Sequence, residues 1–139
     1  METWLTSVAS TAQAHVFSDD NTIAETNGFK IYLEHFERAL EMMNRPQHTA
    51  DTLRRNLENA GFVDIHVRSV KQPFGPWAHN RRLKHVGAMV LLMAETGFEA
   101  YAMAPFTRVL GMTQEQAAKI CTDSVIAVKN KNHHMYSYL

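Results

Sequence analysis

The sequence predicts an α+β fold with about three strands, over residues 12–17, 65–70 and 135–138, packed with four to five helices. Three observations lead there. Apolar residues recur at helical spacing from Phe29 to Met43, from Leu83 to Met103 and from Ala117 to Val128. Between Val63 and Ser69 they alternate with Asp64, His66 and Arg68 instead, the period of a strand with one wetter face. Capping residues stand where helical patterns begin: Asn27, Thr49, and Thr113 with Gln116 three positions on.

The elements follow in order. Trp4, Leu5 and Val8 fall on one face of a short N-terminal helix, and 12–17 alternates small and larger residues as a strand does. Ser18-Asp19-Asp20-Asn21 makes a turn, since each side chain can bond its own backbone. The paired aspartates read as a solvated turn, not as metal ligands. The helix after Asn27 carries Phe29, Leu33, Phe36, Leu40 and Met43 on one side and Tyr32, His35, Ala39 and Met42 on another, so it is expected to be buried on two sides or to line a cavity. Arg45-Pro46 stops it. A second helix after Thr49 ends at Gly61, which supplies the left-handed residue past a helix C-terminus. The strand at 65–70 leads into the rigid Pro-Phe-Gly-Pro-Trp loop around Trp77. A long helical pattern then runs from Asn80 with an expected break at Gly97, stops at Pro105 and restarts at Phe106. The last helix opens on the Thr113/Gln116 capping box, and Met135, Tyr136 and Tyr138 read as a closing strand.

Composition limits what such a chain does. Its 139 residues, 45% hydrophobic and 20% charged, suit one soluble domain with a single core. Fourteen basic and fourteen acidic residues cancel, which removes the electrostatic footprint of a nucleic-acid or anionic-membrane partner. No apolar run reaches the ~18 residues of a membrane span, and Glu2 stands where a signal peptide carries Lys or Arg. The lone Cys121 fits a reducing compartment, so a cytoplasmic location is expected. Eight methionines suit an adaptable apolar pocket.

Chemistry-bearing residues are sparse. The histidines do not fall at metal spacing, Cys121 lies on an apolar helix stripe as a buried thiol would, and neither a serine elbow nor a phosphate or dinucleotide glycine motif occurs. What remains surrounds the Trp77 loop. Arg81 and His85 share a helix face four residues apart; His85 can transfer a proton near neutral pH and Arg81 can steady a developing anion. Glu34 offers a second acid or base. Its neighbour His35 points away by ~100° and so is not its partner.

Five stretches also carry a resemblance: SDDNT (18–22), ENAGFVDIHVRSVKQPFGPW (58–77), LKHVG (83–87), FTRVLGMTQEQ (106–116) and HHMYSYL (133–139). In this order they resemble the C-terminal half of S-adenosylmethionine-dependent methyltransferases of the fungal secondary-metabolism type, a group that includes velvet-associated methyltransferase-like regulators. The resemblance implies a truncated class I methyltransferase-like fold in which the GPW motif belongs to a substrate-side loop. In that group the cofactor sits on a glycine-rich loop upstream of SDD. Here SDD follows Met1 by about seventeen residues, so no cofactor and no unaided methyl transfer are expected.

Two functions are then open. One is a cofactor-independent cyclase or isomerase acting on an apolar natural-product intermediate, as non-methylating relatives of that group do. His85, Arg81 and Glu34 would supply acid/base assistance, and Trp77, Tyr32, Phe36, His35, Phe74 and Met89 the pocket wall. The other is an inactive module that pairs with a methyltransferase-like partner or regulator. Either way a homodimer or such a partner is expected to cover the apolar faces left open, above all that of Phe29–Met43.

Overall fold

A computed structural model describes residues 15–139. The N-terminal helix and residues 12–14 of the first expected strand lie outside the described residues. Within them the order is α1 (Gly28–Met42), α2 (Ala50–Asn59), β1 (Lys71–Phe74), α3 (Arg81–Ala104), a π turn (Pro105–Val109), α4 (Gln114–Lys129) and β2 (Met135–Tyr138).

Among the described residues the sheet has two strands, fewer than the three expected. β1 and β2 pair antiparallel, Lys71 opposite Tyr138 and Phe74 opposite Met135, and Val70 and Leu139 extend the ladder by exchanging both backbone hydrogen bonds. On the other side of β2 the described part of the expected first strand, residues 15–17, makes a single bridge, where Phe17 and Tyr136 exchange N–H···O bonds of 2.8 and 3.0 Å. Because Tyr136 turns its backbone groups toward Phe17, its other neighbour Pro73 faces a position that asks for no donor. That geometry lets a proline sit inside β1.

The strand expected over 65–70 is absent, and β1 begins one residue after it. Asp64 takes a left-handed φ of 55°, Val63 is 84% exposed and Val67 and Val70 are half exposed. The alternation is real, but of these residues only Val70 has a ladder partner, Leu139.

The helices follow their signals more closely. The Asn27 carboxamide accepts the Phe29 and Lys30 amides, Thr49 caps α2, and both halves of the Thr113/Gln116 box form. The expected break at Gly97 does not occur; α3 runs on to Pro105, where Leu110 bonds back to the Pro105 carbonyl in a π turn. Helical backbone is thus continuous over Arg81–Val109, long and apolar enough by length and composition alone to cross a membrane, contrary to the sequence expectation. It packs against β1 and α4.

The core lies between α1, α3, the π turn and α4. Phe29 stacks on Phe98 at 5.0 Å and meets Phe74 edge-on at 4.6 Å; Tyr32 lies 4.8 Å from Phe98 and 5.6 Å from Phe106. Two glycines allow the closest approaches. A Cβ on Gly28 would strike the Asp123 backbone of α4, and one on Gly87 would strike the carbonyl of Gly75, whose amide bonds Gly87. α2 buries no residue.

Candidate functional site

The loop from β1 to α3 sets Trp77 against the end of the sheet. Its indole N–H donates to the Met135 carbonyl at 3.0 Å, and its ring lies 5.1 Å from the His134 imidazole. The half-buried ring lines an open groove of ≈ 250 Å³ together with Phe74, Val128, Lys84, Lys129 and Lys131. Lys129 is paired with Glu95 at 2.8 Å.

Beside this groove a polar clamp joins the two ends of the described chain. Asp20 accepts hydrogen bonds from the Ser18 and Thr22 hydroxyls at 2.7 and 2.8 Å. Its second oxygen faces His134 Nδ1, which must be the protonated nitrogen because a carboxylate only accepts. Thr22 accepts the His134 backbone N–H at 3.0 Å. The next residue, Asp19, takes Lys71 Nζ and the Tyr136 hydroxyl, both at 2.6 Å, and the same ammonium sits 4.1 Å over the Tyr136 ring. These bonds shift the groups in consistent directions. Ser18, then His134 and Thr22, hold the Asp20 carboxyl well below the ordinary carboxylate range. Lys71 and Tyr136 lower Asp19, and Asp19 in turn raises both of them. The clamp orients the His134 ring beside Trp77 and closes the SDDNT turn onto β2. Sequence reading missed it: SDDNT and HHMYSYL each stood out, but nothing in their spacing says that they touch.

The residues named from the sequence do not gather. Tyr32, Phe36 and Phe74 belong to the core or pack on it, and Tyr32 donates to the Phe98 carbonyl at 3.1 Å while burial raises its phenol. His35 is half buried, edge-on to Phe106 at 6.0 Å. Arg81, His85 and Met89 are exposed, on successive turns of α3, and it is Lys84, not Arg81 or His85, that lines the Trp77 groove. Glu34 lies on exposed α1 surface beside a separate groove with His15, Phe17 and Glu37. Cys121 is buried, its Sγ 3.8 Å from the Phe98 carbonyl, and burial first of all pushes its thiol up to about 11. Among the described residues no three His, Cys, Asp or Glu side chains gather as a metal site.

No family model and no solved structure matches the chain. Curated relatives do. The chain is 30% identical over 122 residues to the secondary metabolism regulator laeA of Aspergillus fumigatus, covering 87% of this chain and 32% of that protein. It is 27% identical over 125 residues to methyltransferase pytC of Aspergillus terreus, with 89% and 39% covered. It is also 27% identical over 121 residues to the probable methyltransferase tdiE of Emericella nidulans, with 87% and 38% covered.

These names overturn the cyclase or isomerase reading: the relatives are methyltransferases or a methyltransferase-like regulator, and none is named a cyclase. Of the glycines, Gly28 and Gly87 have the space beside them filled by the protein's own backbone. Across most of its length the chain is thus a relative of fungal secondary-metabolism methyltransferases and methyltransferase-like regulators, and it spans about a third of their length.

Proposed function

We propose that this chain is a methyltransferase-like module without chemistry of its own, which acts by pairing with a methyltransferase or methyltransferase-like regulator of fungal secondary metabolism. The observation that carries the reading is the dispersal of reactive groups. Arg81 and His85 face solvent on α3, Glu34 faces it on α1, and the strongly shifted groups of the clamp bond one another. General acid–base work needs a donor within hydrogen-bond reach of one reacting atom, and dispersed side chains do not converge on one. The relatives' names supply the partner class.

The test is to mix the purified chain with a full-length methyltransferase-like regulator of this class and follow co-elution on a sizing column, with calorimetry of the isolated chain against S-adenosylmethionine. Co-elution without cofactor binding is the expected result. Failure to co-elute, or methyl transfer by the chain alone, overturns the reading.

A further inference from the structure

The largest unassigned feature is the outer face of α3. Val86, Met89, Met93, Thr96 and Ala100 follow one another at alternating steps of three and four, the seam spacing of a helix that pairs with another helix. Met89 is 60% and Met93 70% exposed, and Leu92 flanks them equally bare. Only 17% of the most apolar 18-residue window of this helix is buried. No charged residue interrupts the seam between Val86 and Ala100.

We propose that this seam is a docking surface for a second copy of the same chain, with the two α3 helices antiparallel about a two-fold axis near Ala94–Glu95. The proposal rests on the pairing-module reading and names one partner for it. The seam is graded: bulky at its N-terminal end and small at Thr96 and Ala100. Antiparallel pairing matches the grades, setting Met89 against the partner's Ala100 and Met93 against the partner's Thr96. Large side chains then enter the hollows left by small ones, as a two-fold contact requires of a single surface. Charge agrees: on the flank, His85 lies toward the partner's Glu99, and Leu92 meets its own counterpart. A lipid surface would select neither the size gradient nor the placement of Glu99. The seam is about 21 Å long and roughly one helix wide, well short of the ~800 Å² per partner of a standard interface. The dimer is therefore expected to be reversible, with a dissociation constant in the micromolar range.

Sedimentation of the full 139-residue chain over a concentration series tests this. The expected result is a monomer–dimer equilibrium weakened roughly tenfold or more by Met93→Glu, which puts a carboxylate in the seam, and unchanged by Val63→Glu, an exposed apolar site elsewhere. A second measurement does not depend on that variant's folding: Leu92→Cys, treated with a short bis-maleimide, should give a covalent dimer, whereas Arg54→Cys on α2 should not. Three outcomes would overturn the inference: a monomer at every concentration, a dimer indifferent to Met93→Glu and not captured by Leu92→Cys, or a monomer that partitions onto phosphatidylcholine vesicles. A chain that is monomeric alone yet co-elutes with the full-length regulator overturns this inference and leaves the pairing function standing.

Discussion

α1 and α3 are the two apolar helices of this molecule, and they spend their side chains differently. α1 buries Phe29, Tyr32 and Ala39 against α4 and the π turn, and only its last turn leaves methionines, Met42 and Met43, in solvent. α3 buries small residues, Gly87, Ala94 and Ala102, and carries Met89, Leu92 and Met93 outward. The sequence points to α1, apolar on two sides, as the helix whose faces most need burial or a partner's cover. The comparison teaches that apolar coverage measures how much a helix needs to bury, not whether its own domain does the burying. What decides is the size of the residue at each approach: glycine and alanine bring backbones together, and the bulky side chains opposite are turned out.

That contrast can be broken by substitution. The largest effect is expected at Phe106, fully buried between α1 and α4. Phe106→Ala should cost about 3–5 kcal/mol in urea unfolding, and a loss under 1 kcal/mol would mean that the core is looser than described. Next comes Gly87, where an added Cβ meets the Gly75 carbonyl. Gly87→Ala should destabilise by about 1–3 kcal/mol despite alanine's better helix propensity, and a stabilised protein would show that α3 is free to move off the loop.

A smaller effect is expected at the clamp. The Asp20 carboxyl is held below its ordinary value of 3.8, so its contribution is complete above that pH and lost as pH falls through the depressed folded value. The melting temperature of Asp20→Asn should therefore change less than the parent's between about pH 5 and about pH 2; parallel curves would exclude the clamp as a source of acid sensitivity. The smallest effect belongs to the outer face. Met89→Ser in dilute solution should alter unfolding free energy by no more than about 0.5 kcal/mol, and a larger loss would mean that the methionine is already packed within one chain.

Local signals were the legible part. Asn27, Thr49 and the Thr113/Gln116 box announce helix starts because capping is chemistry within four residues. Met135–Tyr138 was readable as a strand for a similar reason. The strand at 65–70 was misplaced because alternation reports which residues could face a core, whereas a ladder also needs a partner, and β2 offers its edge only from Val70 onward. Gly97 did not break α3, since a glycine costs a helix about 1 kcal/mol against alanine, less than packing on α4 and β1 returns. In the candidate site, Trp77 lines an open groove from its rigid loop. The pairing of Asp19 and Asp20 with Lys71, Tyr136 and His134 stayed hidden because it joins residues 52 to 117 positions apart.

The order of the sheet also bears on how fast this protein folds. β2 is the middle member, held by β1 on one side and by Phe17 on the other, and both neighbours come from much earlier in the sequence. Neither contact can form by a hairpin, so each demands closure of a long loop before any ladder bond rewards it. Each helix can form from nearby residues first, whereas the packing of α1 on α4 and the closing of the sheet both wait on distant parts of the chain. Weakening Tyr136, where both contacts meet, should then lower the refolding rate more than it raises the unfolding rate if the sheet closes in the transition state; the reverse would put sheet closure after the barrier.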